Sequence, residues 1–154
     1  MAARAGSPAR RSALLLLWVE ATSNLFLFTP LMLVWPHWVL GQLVPEQRRG
    51  EVSEIAAEAF RWFGAMSLAF SGFGLLSALR SGSHEVERAF LRAHLVADVL
   101  YVGATGWWAV RSGLHGEPAV VGNVVYGTAL FLCRIVRLLE LAEQGQLEAA
   151  KRSR

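Results

Sequence analysis

Apolar residues crowd into four stretches of the chain, separated by short segments rich in Gly, Pro, Ser and charge. A bilayer core needs roughly 20 predominantly apolar helical residues, and about 13–35, 55–79, 90–110 and 119–139 each reach that length. The first stretch, ALLLLWVEATSNLFLFTPLMLVW, holds one charge, Glu20; in the second, Glu58 and Arg61 fall within the first two turns. Strings such as LLLLW, MSLAF and VVGNVV do not alternate, so the strand pattern of a membrane barrel is absent. In hydrocarbon every backbone N–H and C=O must be paired within its own segment, which leaves the helix.

The pattern predicts an all-α protein, a four-helix transmembrane bundle with antiparallel up-down neighbours. The second and third connections, RSGSHEVER and RSGLHGEP, are too short for anything else, and Pro118 can open the last helix. The first connection, residues 36–54, carries Pro36, Gly41, Pro45 and Gly50 and reads as a loop. A basic arm (1–12) precedes a single membrane domain (13–141), and a polar helical tail (142–154) follows.

Composition sharpens this picture. Of 154 residues 54% are apolar and 18% charged, and the mean hydropathy of +0.37 makes the excess hydrophobic; soluble domains average about 45–50% and 25%. One cysteine excludes a disulfide framework. Arg4, Arg10, Arg11, Arg80, Arg88, Arg92, Arg137, Lys151, Arg152 and Arg154 fall on one side of a four-span chain, against Arg48, Arg49 and Arg111 on the other. The positive-inside bias therefore places both termini on the positive, cytoplasmic-type side. Trp35, Trp38, Trp62, Trp107 and Trp108 gather near the opposite interface, where indole rings settle. The basic start followed by LLLLWV resembles a signal peptide, but Glu20 interrupts the run and apolarity resumes through Trp35, so a retained span is expected. The basic residues flank spans without interleaved aromatics, which gives nucleic-acid binding no support. Fourteen Arg against one Lys suits guanidinium contacts to lipid phosphates.

Charge inside hydrocarbon costs about 2.5–3.5 kcal/mol even on the lenient scale, so it faces inward and is paired. The polar set is Glu20 and Asn24 on the first span, His94, Asp98 and Tyr101 on the third, and Arg134 on the fourth. Asp98 is the only aspartate in the chain. His94 and Asp98 are four apart and share a face that Tyr101 and Thr105 continue. At 1.5 Å per residue, Glu20 and Asp98 both lie roughly 10–12 Å in from the basic side, with His94 and Arg134 somewhat shallower. The six residues are expected to meet in one internal cluster. It is either a buried ion-pair network that fixes helix neighbours or a proton-handling or ligand site, with Glu20, His94 and Asp98 as the catalytic candidates. Glu58 and Arg61 lie near the other interface and cannot join it.

Helix two carries a stripe of small residues, Gly64, Ser67, Ser71, Gly74 and Ala78, of the kind that lets backbones approach closely in lipid. Gly122, Tyr126, Ala129 and Cys133 repeat the spacing on helix four, with Cys133 as a packing residue. His37, His84 and His115 lie in connections without a second ligand, so no metal is expected, and no cofactor-binding motif is present. Catalytic templates such as G-x-S-x-G and H-E-x-x-H are also missing.

Glu20 on helix one, Ala97-Asp98 on helix three, and Gly122-Asn123 and Arg134 on helix four together resemble a family of small uncharacterised four-span integral membrane proteins common in fungi. The resemblance covers most of the chain but rests on few positions. It departs at Ala21, where proline is expected after the acid. It implies the architecture and brings no activity. The arrangement is also similar, by analogy only, to sterol-isomerase-like bundles in which intramembrane acids and tryptophans line a lipid cavity. The expectation is a non-enzymatic assembly, scaffold or accessory subunit, with membrane lipids and other membrane subunits or itself as partners. The alternative is a lipid or small-molecule handling protein, an isomerase-like enzyme or a transporter, that uses Glu20, His94, Asp98 and Arg134.

Overall fold

Pro30 has no N–H and crowds the carbonyl of Phe26, so a helix that runs through it must give way one turn earlier. In the computed structural model, which describes residues 8–44 and 46–153, it does so by a π-helical turn. Helix α1 (Pro8–Ser23) passes through that turn at Asn24–Phe28 into α2 (Thr29–Val34), and together they form a first long helix. The Thr29 hydroxyl, fully buried, donates to the Asn24 carbonyl five residues back. The second long helix repeats the device: α4 (Glu54–Ser67) runs through a π-turn at Leu68–Gly74 into α5 (Leu75–Arg80). The two π-turns pack side by side.

The third and fourth long helices are unbroken: α6 (His84–Arg111) and α7 (Pro118–Arg152). Ser53 and Ser83 cap α4 and α6 by accepting from the Ala56 and Val86 amides. Gly82 and Gly113 turn the chain between long helices at φ +66° and +69°, a conformation that other residues adopt at a cost. No strand occurs among the described residues.

The expected loop at 36–54 is a correction. Proline is preorganised for the first turn of a helix, and Pro36 opens α3 (Pro36–Leu43), with a 3-10 turn following at Glu46–Glu51. His37 Nε2 lies 3.0 Å from Glu54 Oε2, tying α3 to the start of α4. The first helix also begins at Pro8, inside the stretch read as an arm. Arg4, Pro45 and Arg154 lie outside the described residues, as do the side chains of Arg10, Arg48 and Arg152.

Each long helix packs on its sequence neighbour, and α7 returns against α1. The pairs run antiparallel: Gly72 meets Leu25 where Gly64 meets Met32, and Gly127 meets Val102 where Gly145 meets Arg88. Leu17, Ala21, Leu75, Leu91 and Leu141 form the core, so α1, α5, α6 and α7 all converge at one end. At the other end α2 and α4 pack on each other and on α3.

Three helical stretches are long and apolar enough to cross a membrane: Arg11–Val34, Glu54–Arg80 and Pro118–Lys151. The third long helix is as long, but His94, Asp98 and its glycines and tryptophans dilute its hydropathy. Side chains are distributed against the rule for water-soluble proteins. Phe26, Trp62, Val96, Trp107 and Val125 are each more than half exposed, whereas Glu20, Glu87 and Arg134 are buried.

Candidate functional site

Arg134 sits midway along α7 on the face that meets α1 and α6. Its guanidinium bridges both: Nη2 lies 2.5 Å from Glu20 Oε1, and Nη1 donates to Asp98 Oδ2. The side chains are 1% (Arg134), 4% (Glu20) and 13% (Asp98) exposed. Three helices thus contribute one charge each to a pair of interactions that water barely reaches. Leu17 and Ala21, from the core, flank Glu20 on α1. Glu20 Oε2 and Arg134 Nε have no hydrogen-bond partner among the described residues. With both acids ionised, one guanidinium faces two carboxylates, so the cluster carries a formal negative charge.

The other residues expected in the cluster point elsewhere, and this corrects the reading of one six-residue site. His94 is buried, but its Nδ1 lies 3.0 Å from the Phe90 carbonyl and its Nε2 3.4 Å from Ser71 Oγ. It therefore links α6 to the second long helix. One turn from Asp98 amounts to about 400° of rotation, and that residual angle turns His94 toward a different neighbour. Asn24 donates from Nδ2 to the Glu20 backbone carbonyl at 3.0 Å, supporting the π-turn below it. Tyr101 donates to Asn123 Oδ1 at 3.3 Å, and Asn123 in turn donates to the Ala119 carbonyl. Glu58 and Arg61 pair with each other, and Arg61 Nε reaches the Leu33 carbonyl at 3.0 Å.

The small residues of helix two divide between two partners because the π-turn resets their register. A β-carbon on Gly64 would lie 2.8 Å from Met32 Cβ, and one on Gly74 would lie 2.6 Å from the Phe90 ring. Ala78 is buried, and Ser71 meets His94. Ser67 is half-buried. Gly72, which lies outside that stripe, sits against Leu25: a β-carbon there would lie 3.4 Å from the Leu25 backbone. On α7 the expected stripe is corrected in part: Gly122 faces open space and Tyr126 is exposed, Cys133 packs against the core, and the close approach is at Gly127, where a β-carbon would lie 2.9 Å from Val102.

A second charged junction joins α6 to α7. Arg137 holds Glu87 with two bonds, Nε to Oε1 at 2.6 Å and Nη2 to Oε2 at 3.0 Å, and reaches Glu140 at 2.6 Å. Arg88 donates from Nη2 to the Leu141 carbonyl and lies across Gly145, where a β-carbon would meet it at 2.8 Å. In the sequence both arginines read as charge flanking the spans, and nothing near them signals an inward face.

Among the described residues no three of His, Cys, Asp or Glu converge as metal ligands. Glu20, Asp98 and Arg134 crosslink three helices, with two buried polar atoms, Glu20 Oε2 and Arg134 Nε, left without a partner among the described residues. No family model, curated protein or solved structure matches the chain.

Proposed function

We propose that the chain is a multi-pass integral membrane protein, a four-helix bundle with all four long helices spanning and both termini on the positive side, and that it acts as a non-enzymatic assembly, scaffold or accessory subunit. The observation that carries this reading is the solvent-excluded Glu20–Arg134–Asp98 crosslink inside a molecule whose outer surface is apolar. Hydrocarbon around the protein favours that arrangement and water does not. The third long helix joins the spans on this reading because its polar residues face neighbours: Asp98 faces Arg134, His94 faces Ser71, and Glu87 faces Arg137. Val96, Val99, Leu100 and Trp107 face outward. The fungal four-span resemblance belongs to the same proposal and adds no activity.

A crosslink with so little accessible surface suits a structural part better than a reaction centre, and the apolar outer faces suit lipid and neighbouring subunits. The test is gentle solubilisation in a lipid-preserving detergent, native-state sizing, and identification of what co-migrates. Stable co-migration with other membrane subunits is expected. Recovery of a lone monomer, with no partner in any mild detergent, overturns the accessory role.

A second reading, lipid or small-molecule handling, draws on the unpartnered Glu20 Oε2 and Arg134 Nε. A monomer that carries a bound small molecule lost on Asp98→Asn, with folding unchanged, would favour it.

A further inference from the structure

A groove of about 270 Å³ lies on the outside of the molecule where α6 and α7 cross, lined by Arg88, Arg92, Ile135, Leu138, Leu139 and Ala142. Its lining divides into two chemistries. Arg88 and Arg92, one turn apart on α6, present two guanidinium groups on the same side of that helix. The four α7 residues form an apolar bed beside them.

Neither arginine is spent. Arg92 is exposed and makes no ion pair or hydrogen bond among the described residues. Arg88 donates from Nη2 to the Leu141 carbonyl, while its Nε has no partner. The acids one might expect to neutralise them are otherwise engaged, because Glu87 and Glu140 both bind Arg137. Below the groove the surface stays apolar: Val96 and Val99 on α6 and Leu132 on α7 are more than half exposed. Arg92 lies about 9 Å along the helix from Asp98, on the side of the chain termini.

We propose that this groove binds one anionic phospholipid, with its phosphate held by Arg92 and Arg88 and an acyl chain laid along Leu139, Leu132 and Val96. The proposal rests on the membrane reading above. Two guanidinium groups match a phosphate in charge and fork geometry, and basic pockets between membrane helices on the positive side select acidic headgroups. A soluble phosphate would satisfy the arginines and leave the apolar bed bare, so the lipid is the better match to the whole lining.

The test uses the full-length chain in neutral detergent, titrated with phosphatidylglycerol, phosphatidylcholine or inorganic phosphate and read by native mass spectrometry. One phosphatidylglycerol is expected to bind in preference to phosphatidylcholine, with millimolar inorganic phosphate failing to displace it. Arg92→Gln should weaken binding about fivefold, the worth of one near-surface arginine. Ala142→Trp, which fills the groove at an exposed position, should abolish it. Arg80→Gln, on the same side but outside the groove, should leave it unchanged. Equal loss in Arg80→Gln, no loss in Arg92→Gln and Ala142→Trp, or displacement by inorganic phosphate would each overturn the site. Alkaline carbonate extraction separates the two claims. A chain that stays in the membrane pellet yet shows no headgroup preference overturns the site alone, and a chain released to the supernatant overturns the membrane reading with it.

Discussion

Arg134 of the fourth long helix lies 2.5 Å from the Glu20 carboxylate of the first, and the two side chains are 1% and 4% exposed. Asp98 completes the bridge from the third helix. Two acids share one guanidinium, so converting either acid to its amide removes a formal charge that the cluster does not need. Glu20→Gln and Asp98→Asn are each expected to change stability by no more than about 1.5 kcal/mol, the scale of one hydrogen bond. Equilibrium unfolding in mixed micelles measures this, and a loss of several kcal/mol in either variant would mean that both carboxylates are required as charges.

Glycine positions separate packing from free space. A β-carbon on Gly64 meets the Met32 β-carbon at 2.8 Å, a contact with no flexible end to move aside. Gly64→Ala should cost about 1–3 kcal/mol, the range for overpacking. Gly122 meets nothing within 4 Å, so Gly122→Ala should be neutral or stabilise by up to about 1 kcal/mol through helix propensity. The same unfolding measurement on both variants checks the order, and a reversed order would contradict the packing described.

Glu87 and Arg137 meet through two parallel hydrogen bonds, the fork geometry that gives charged pairs direction as well as energy. A double-mutant cycle of Glu87→Gln and Arg137→Gln should return a coupling of about 1–3 kcal/mol. A value near zero would reduce the pair to solvated charges. Arg137 also holds Glu140, so Glu140→Gln serves as the control that leaves the coupling in place.

The third long helix decides the topology. In a Cys133→Ser background, single cysteines at Ser81, Ser112 and Ser153 can be labelled by a membrane-impermeant reagent from one side at a time. With four spans, Ser81 and Ser153 share a side and Ser112 takes the other. Labelling of Ser81 and Ser112 from the same side would show that α6 does not cross.

The sequence carries depth better than direction. Counting along each apolar stretch places Glu20, Asp98 and Arg134 at similar heights, and in the structure Arg134 bridges the two acids. Rotation about the helix axis is lost in such a count, which is why His94 meets Ser71 instead. Spacing rules assume an unbroken α-helix. The π-turn at Leu68–Gly74 shifts the register, so Gly64 of the stripe packs on Met32 and Gly74 on Phe90, while Gly72, outside the stripe, packs on Leu25. Pro36 heads a segment whose prolines and glycines read as a loop, although proline at a first turn starts a helix. Arg88 and Arg137 read in the sequence as charge flanking the spans, because nothing in their neighbourhood tells a span end from a helix that continues, packed, beyond it.

The central claim is that the Glu20–Arg134–Asp98 crosslink is structural, and one comparison tests it most directly. Arg134→Met leaves two carboxylates buried without a cation, whereas the triple variant Glu20→Gln, Asp98→Asn, Arg134→Met leaves no charge at all. Breaking a buried pair by removing one partner costs about 3–5 kcal/mol, while replacing the whole group with neutral side chains is often close to neutral. The unfolding free energy of both variants, measured in the same micelles, should show the single variant strongly destabilised and the triple variant largely restored, with the same co-migrating partners as the original chain. An Arg134→Met protein as stable as the original, or a well-folded triple variant that has lost its partners, would contradict it.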